Sequence, residues 1–124
     1  MPSEHDTRVR RVERGVREEL AAMLGTDIKD PGAAGAVVTR VEMTSDLRSA
    51  RIQVRLLEHG DDEERRRAVV AALGRASGFL RREVTHRLGL RHAPELRFFY
   101  DDGNDNSTRV EQILAEIEAE RRSR

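Results

Sequence analysis

The chain has 124 residues, with 23 basic and 23 acidic side chains, four histidines and no cysteine. That length suits one domain burying about two-thirds of its unfolded surface, and the lack of cysteine excludes disulfides, thiol nucleophiles and cysteine-ligated metals. No apolar run approaches the roughly 20 residues that span a bilayer, and the charged start MPSEHDTRVRRVERG has no signal-peptide core, so a cytoplasmic protein is expected.

Neutrality overall hides an uneven distribution. Residues 8–17 hold five arginines against one glutamate, and residues 75–92 hold five arginines and two histidines against one glutamate. Residues 95–120 carry eight acids against Arg97 and Arg109. Such a polar arrangement can steer an anionic partner to one end of a neutral molecule. Arginine richness alone is weak evidence, because 22 of the 23 basic residues are arginine and abundant alanine and glycine accompany them, as a biased genome would also produce.

In chain order, Val9, Val12, Val16, Leu20 and Leu24 predict an amphipathic helix over about residues 6–24, with Ser3 and Asp6 resembling a capping box ahead of it. A loop broken by Asp30-Pro31 and glycines follows. Residues 36–43 alternate, with Val37, Thr39, Val41 and Met43 on one side. Residues 50–57 alternate again through Ala50, Ile52, Val54 and Leu56. Joined by a short polar turn, they read as an antiparallel hairpin with one arginine-rich wet face.

Apolar residues then recur from Val69 to Leu88 at helical spacing, but Ser77-Gly78 falls inside the run. Glycine disfavours a helix interior by roughly 1 kcal/mol, whereas serine is a good N-cap. The expectation is two helices meeting at a kink, with Ser77 capping the second; one continuous bent helix with solvated arginines is the alternative. A strand, ELRFFYD, follows Pro94, and an amphipathic helix through Val110, Ile113, Leu114 and Ile117 closes the chain. Residues 1–120 are read as a single domain and 121–124 as a frayed tail. The fold class is α+β: a three-stranded sheet with helices packed on one face, in the order α-β-β-α-kink-α-β plus a C-terminal helix.

No catalytic constellation stands out. The histidines (His5, His59, His86, His92) are scattered, and the acidic turn DDGNDNS fails the EF-hand register. No catalytic residue, metal, cofactor or small-molecule substrate is expected. Phe99 is the one aromatic of the FFY run placed off the core face, and a structural role is its plainest reading.

Several strings, in order, resemble the ribosome-binding factor A family: IKDP (28–31), VEMTSDLRSARIQV (41–54), ASGFLRREV (76–84), LRHAPELRFFYD (90–101) and TRVEQIL (108–114). The resemblance implies a type II KH-like fold in which an Ala-x-Gly kink, here Ala76-Ser77-Gly78, replaces the usual GxxG loop. It also implies a monomer when free that binds the small (30S) ribosomal subunit and its rRNA late in maturation. There it would assist processing of the 5′ end of the 16S precursor, with a role in growth at low temperature. The DDGNDNS turn departs from the family form, and the chain stops at Arg124 without a long charged tail. Another KH-type RNA binder, such as a transcript regulator, is the alternative.

Phosphate-gripping arginines are the expected mechanism. The central contact is placed at Arg75, Ala76, Ser77, Gly78, Arg81 and Arg82, flanked by Arg8, Arg10, Arg11 and Arg14, with Arg87 and Arg91 secondary.

Overall fold

A computed structural model of the protein describes residues 4–103 and 107–122, with side chains described over 7–103 and 114–122. Its first helix, α1 (Glu4–Thr26), buries Val16, Leu20 and Met23 completely and packs Val9, Val12 and Leu24 partly against the core. Ser3 and the Asp6 side chain, expected to cap this helix, lie outside the described residues. The loop beyond is shaped by Asp30, whose carboxylate accepts from the Gly32 N–H at 2.9 Å while Pro31 opens a single 3-10 turn. Proline suits that first position because its missing N–H would have no partner there.

Strands β1 (Ala36–Met43) and β2 (Ser49–Leu56) pair antiparallel as expected. The alternation of β1 is corrected in its first half. Val38 pairs with Val54 and Arg40 with Gln53, leaving Thr39 as the extra residue of a bulge. A bulge shifts side-chain parity by one, so Val38 is buried with Val41 and Met43, and Val37 faces outward. Strand β3 (Glu95–Tyr100) runs parallel to β2, giving the order β1-β2-β3.

The expected helix pair is one helix, α2 (Glu63–Leu88), which passes through Ser77 and Gly78 without interruption. Its N-cap is Asp62, which accepts from the N–H groups of Glu64 and Arg65. Ser77 caps nothing: its hydroxyl donates to the Gly74 carbonyl at 2.7 Å, three residues back in the same helix. The physical reason is burial. Val69, Ala72, Leu73, Leu80 and Val84 are all fully buried on one stripe that stays in phase across Gly78, and that packing outweighs the propensity of two glycines.

Helices α1 and α2 lie on one face of the sheet, so the α+β class stands as expected. The C-terminal helix α3 (Ser107–Arg122) lies on the other, which corrects the open wet face of the hairpin. Beneath it Arg51 is 5% exposed, its guanidinium 5.0 Å from the Phe99 ring centre. Ile117 is buried here, Arg97 pairs with Glu120, and Arg121 reaches Ser49 and Asp46. Arg121, expected in a loose tail, is therefore held. Ser123 and Arg124, the centre of the DDGNDNS turn, and the side chains of Val110 and Ile113 lie outside the described residues.

Candidate nucleic-acid interface

Three of the expected contact arginines are engaged in holding the fold. Arg75 clamps the 3-10 turn through Nε and Nη2 to Asp30 Oδ2, at 3.0 and 2.8 Å. Arg81 donates twice to the Ala93 carbonyl, at 3.2 and 2.8 Å, and ties α2 to the loop before β3. Arg87 pairs with Glu19, Asp27 and Glu83, joining α1 to α2; its hydrogen bond to Glu19, with help from Glu83, raises its pKa further. Ala76 packs partly against the core. The capped break expected among the three arginines at 75–82 does not form: Arg75 and Arg81 are engaged within the fold, and α2 runs on through Ser77 and Gly78. What remains there is an exposed strip of bare helix at Gly74 and Gly78, with Arg82 beside it. A methyl group added at Gly78 would come no closer than 3.6 Å to Arg82.

Asp30 gives this clamp a pH dependence. The N–H of Gly32 and then the Arg75 guanidinium hold its carboxyl below the ordinary carboxylate value. A depressed native pKa stabilises the fold fully above the unfolded value, about 3.9, and that contribution is lost as pH falls through the lower native one. Asp30→Asn keeps the Gly32 acceptor but not the charge. Urea midpoints for this variant should lie below the parent's at pH 7, and the gap should narrow as pH falls through and below the ordinary carboxylate range.

Cations without ion pairs gather at the other end of α2. Arg8, Arg11, Arg82 and Arg91 are exposed and make no ion pair among the described residues. Arg10 and Arg14 are also exposed but lie outside the groove formed there. That groove, of about 570 Å³, is lined by Arg8, Arg11, Arg48, Arg91 and His92 over an apolar floor of Val12, Leu47, Leu88 and Leu90. A shallower depression shares Gly89 and Leu90 with it and continues past His86 and Thr85 to Arg82. One basic surface thus runs from the start of α1 to the middle of α2.

Three local features build it. Gly15 lets the two helices approach, since a Cβ there would stand 2.9 Å from Leu88 Cδ2. Gly89 ends α2 in the left-handed conformation (φ 62°), and Leu90 N–H returns to the Thr85 carbonyl at 3.0 Å, a Schellman-type stop that swings Arg91 and His92 over the helix end. Parallel pairing then draws the Arg48 carbonyl onto Glu95 N–H at 2.9 Å, so that Arg48 Nη2 lies 3.4 Å from His92 Nε2. Arg48 and His92 line this groove and His86 its continuation, and none of the three was among the contacts expected from sequence.

Asp46 is the one acid in the groove wall among the described residues, and both its oxygens are engaged. Oδ1 accepts from the Thr44 hydroxyl (2.7 Å) and Arg48 N–H (3.1 Å), and Oδ2 faces Arg121 at 3.1 Å. Burial pushes its pKa up, but the two hydrogen bonds and the arginines outweigh it, and the carboxyl sits below its ordinary value. Among the described residues, the groove therefore offers an anion a rim of guanidinium groups without an unsatisfied carboxylate. Its floor accepts an apolar face. Phosphate and base together have that chemistry. Among the described residues no cluster of three metal-ligating side chains forms, and no helix is long and apolar enough to cross a membrane.

Comparison with known proteins agrees with this architecture. The family model described as ribosome-binding factor A matches residues 8–114. Ribosome-binding factor A of Sorangium cellulosum is 47% identical over 110 residues, covering 89% of this chain and 88% of its own. The crystal structure of ribosome-binding factor A from Thermus thermophilus superposes with a TM-score of 0.63 at 21% identity, covering 74% of this chain and 93% of that one. Coordinates of the Thermus thermophilus factor fitted into a cryo-EM map of its 30S complex give a TM-score of 0.58 at 22% identity, covering 77% and 97%. Both structural likenesses speak to the fold. With the family match spanning nearly the whole chain, this protein belongs to the ribosome-binding factor A family.

Proposed function

We propose that this chain binds the small ribosomal subunit and its rRNA during late maturation and assists processing of the 5′ end of the 16S precursor. It acts as a monomeric cytoplasmic binding factor, not as a nuclease, and matters most during growth at low temperature. The observation that carries this reading is the convergence of Arg8, Arg11, Arg48 and Arg91 on one groove. Membership of the family and the 30S complex of the Thermus thermophilus relative support the choice of partner. Guanidinium groups recognise phosphates by geometry and charge, which positions the domain on folded RNA by shape. The bare helix strip at Gly74 and Gly78 allows backbone to approach α2 closely beside Arg82.

Cells lacking this chain, grown cold, are expected to accumulate 16S rRNA with an unprocessed 5′ end, seen by primer extension. The parent gene should restore mature ends. Incubation of the pure protein with precursor rRNA should leave the RNA uncut. Normal 5′ ends in the deleted strain would sink the processing role.

A further inference from the structure

We infer that Arg121, on the C-terminal helix, is a positioning residue for the groove: it braces the β1–β2 turn that carries Arg48. This rests on the groove's being the rRNA contact. Arg121 spans an anchor in that turn and one at the start of β2, placing Nη2 3.1 Å from Asp46 Oδ2 and donating Nη1 to Ser49 Oγ at 2.8 Å. It lies on the far side of the sheet from α1 and α2 and is not among the residues that line the groove.

The turn needs a brace. Leu47 holds φ at +61°, a left-handed conformation that a leucine adopts only at a cost, and its N–H is bonded to the Thr44 carbonyl at 2.9 Å. Its side chain packs partly on the core and forms part of the groove floor. Asp46 locks this conformation by accepting from the Thr44 hydroxyl and the Arg48 N–H. Arg121 neutralises and fixes Asp46 from outside. With Arg121 gone, Asp46 keeps its charge in the groove wall and is free to turn toward Arg48, quenching the cation it now positions. The C-terminal helix thus sets the groove from a distance through one carboxylate, and its docking through Ile117 and Glu120 becomes a condition for tight binding.

The test uses the full chain and purified 30S subunits. Arg48→Ala should lower the steepness of log affinity against log salt by about one, the loss of one phosphate contact. Arg121→Ala should do the same without touching the groove, with an affinity loss of about tenfold, within the range of remote coupling. Asp46→Asn keeps the acceptor for Arg48 N–H and removes the carboxylate charge, so it should recover most of the affinity in the Arg121→Ala background; Arg121→Lys should retain part of it. Normal affinity and slope in Arg121→Ala, with Arg48→Ala impaired, would overturn the brace and leave the groove standing. An unimpaired Arg48→Ala would overturn both. Loss of affinity in Arg121→Ala that Asp46→Asn leaves uncorrected, at an unchanged salt slope, would also overturn the brace, since it would mark general undocking of the helix.

Discussion

Replacing Arg8, Arg11 and Arg91 together by alanine should weaken binding to 30S subunits about a hundredfold at 0.1 M salt. The reasoning is counterion release: each phosphate neutralised contributes a slope of about 0.7 to 0.9, so three lost contacts remove about two to three units of slope and, reckoned from 1 M salt, about two orders of magnitude at 0.1 M. All three side chains are exposed and make no ion pair among the described residues, so the thermal midpoint should stay nearly where it was. Binding measured between 0.05 and 0.4 M salt checks both numbers at once. A triple variant that binds with the parent's slope would show that rRNA does not enter this groove. Arg87→Ala provides the opposite control. Its guanidinium joins Glu19, Asp27 and Glu83, so stability should fall while the salt slope holds.

Most of the fold was legible because its elements carry their own periodicity. Helical spacing gave α1 and the burial of Val16 and Leu20, and alternation gave β1 and β2. The bulge at Thr39 escaped because the string Val37-Val38-Thr39 supports either parity, and only pairing with β2 chooses one. Ser77-Gly78 misled for a different reason. Local propensity argued for a break, yet the apolar stripe from Val69 to Val84 keeps its phase across that point. A break would have thrown Leu80 and Val84 off the stripe, so the evidence for one helix was present in the sequence and was outweighed wrongly.

The site was legible only in part, and the division follows topology. Charge clustering pointed to Arg8, Arg11, Arg82 and Arg91, which the fold leaves exposed and, among the described residues, without ion pairs. Arg48 and His92 meet because β3 pairs parallel with β2, a choice of partner that no pattern in ELRFFYD dictates. The engagement of Arg75, Arg81 and Arg87 was equally hidden. Each finds its acceptor in another element or loop: Asp30, the Ala93 carbonyl, and Glu19 with Asp27. An arginine's chemistry can be read in sequence, whereas its availability depends on what the fold sets beside it.

Leu80→Ala should destabilise the protein by about 2–5 kcal/mol, the range for emptying a buried leucine site. Leu80 is fully buried two residues beyond Gly78, between Leu73 and Val84 on the same stripe. Domains of this size are stable by only about 5–15 kcal/mol, so the variant sits near the edge of folding, and its urea midpoint should fall steeply. Because α2 is one continuous helix, the folded fraction of the variant keeps its groove, and binding to 30S subunits at 4 °C should retain the parent's salt slope. A variant that loses little stability would mean that Leu80 is not held on the core stripe, and the register of α2 beyond Gly78 would then be wrong.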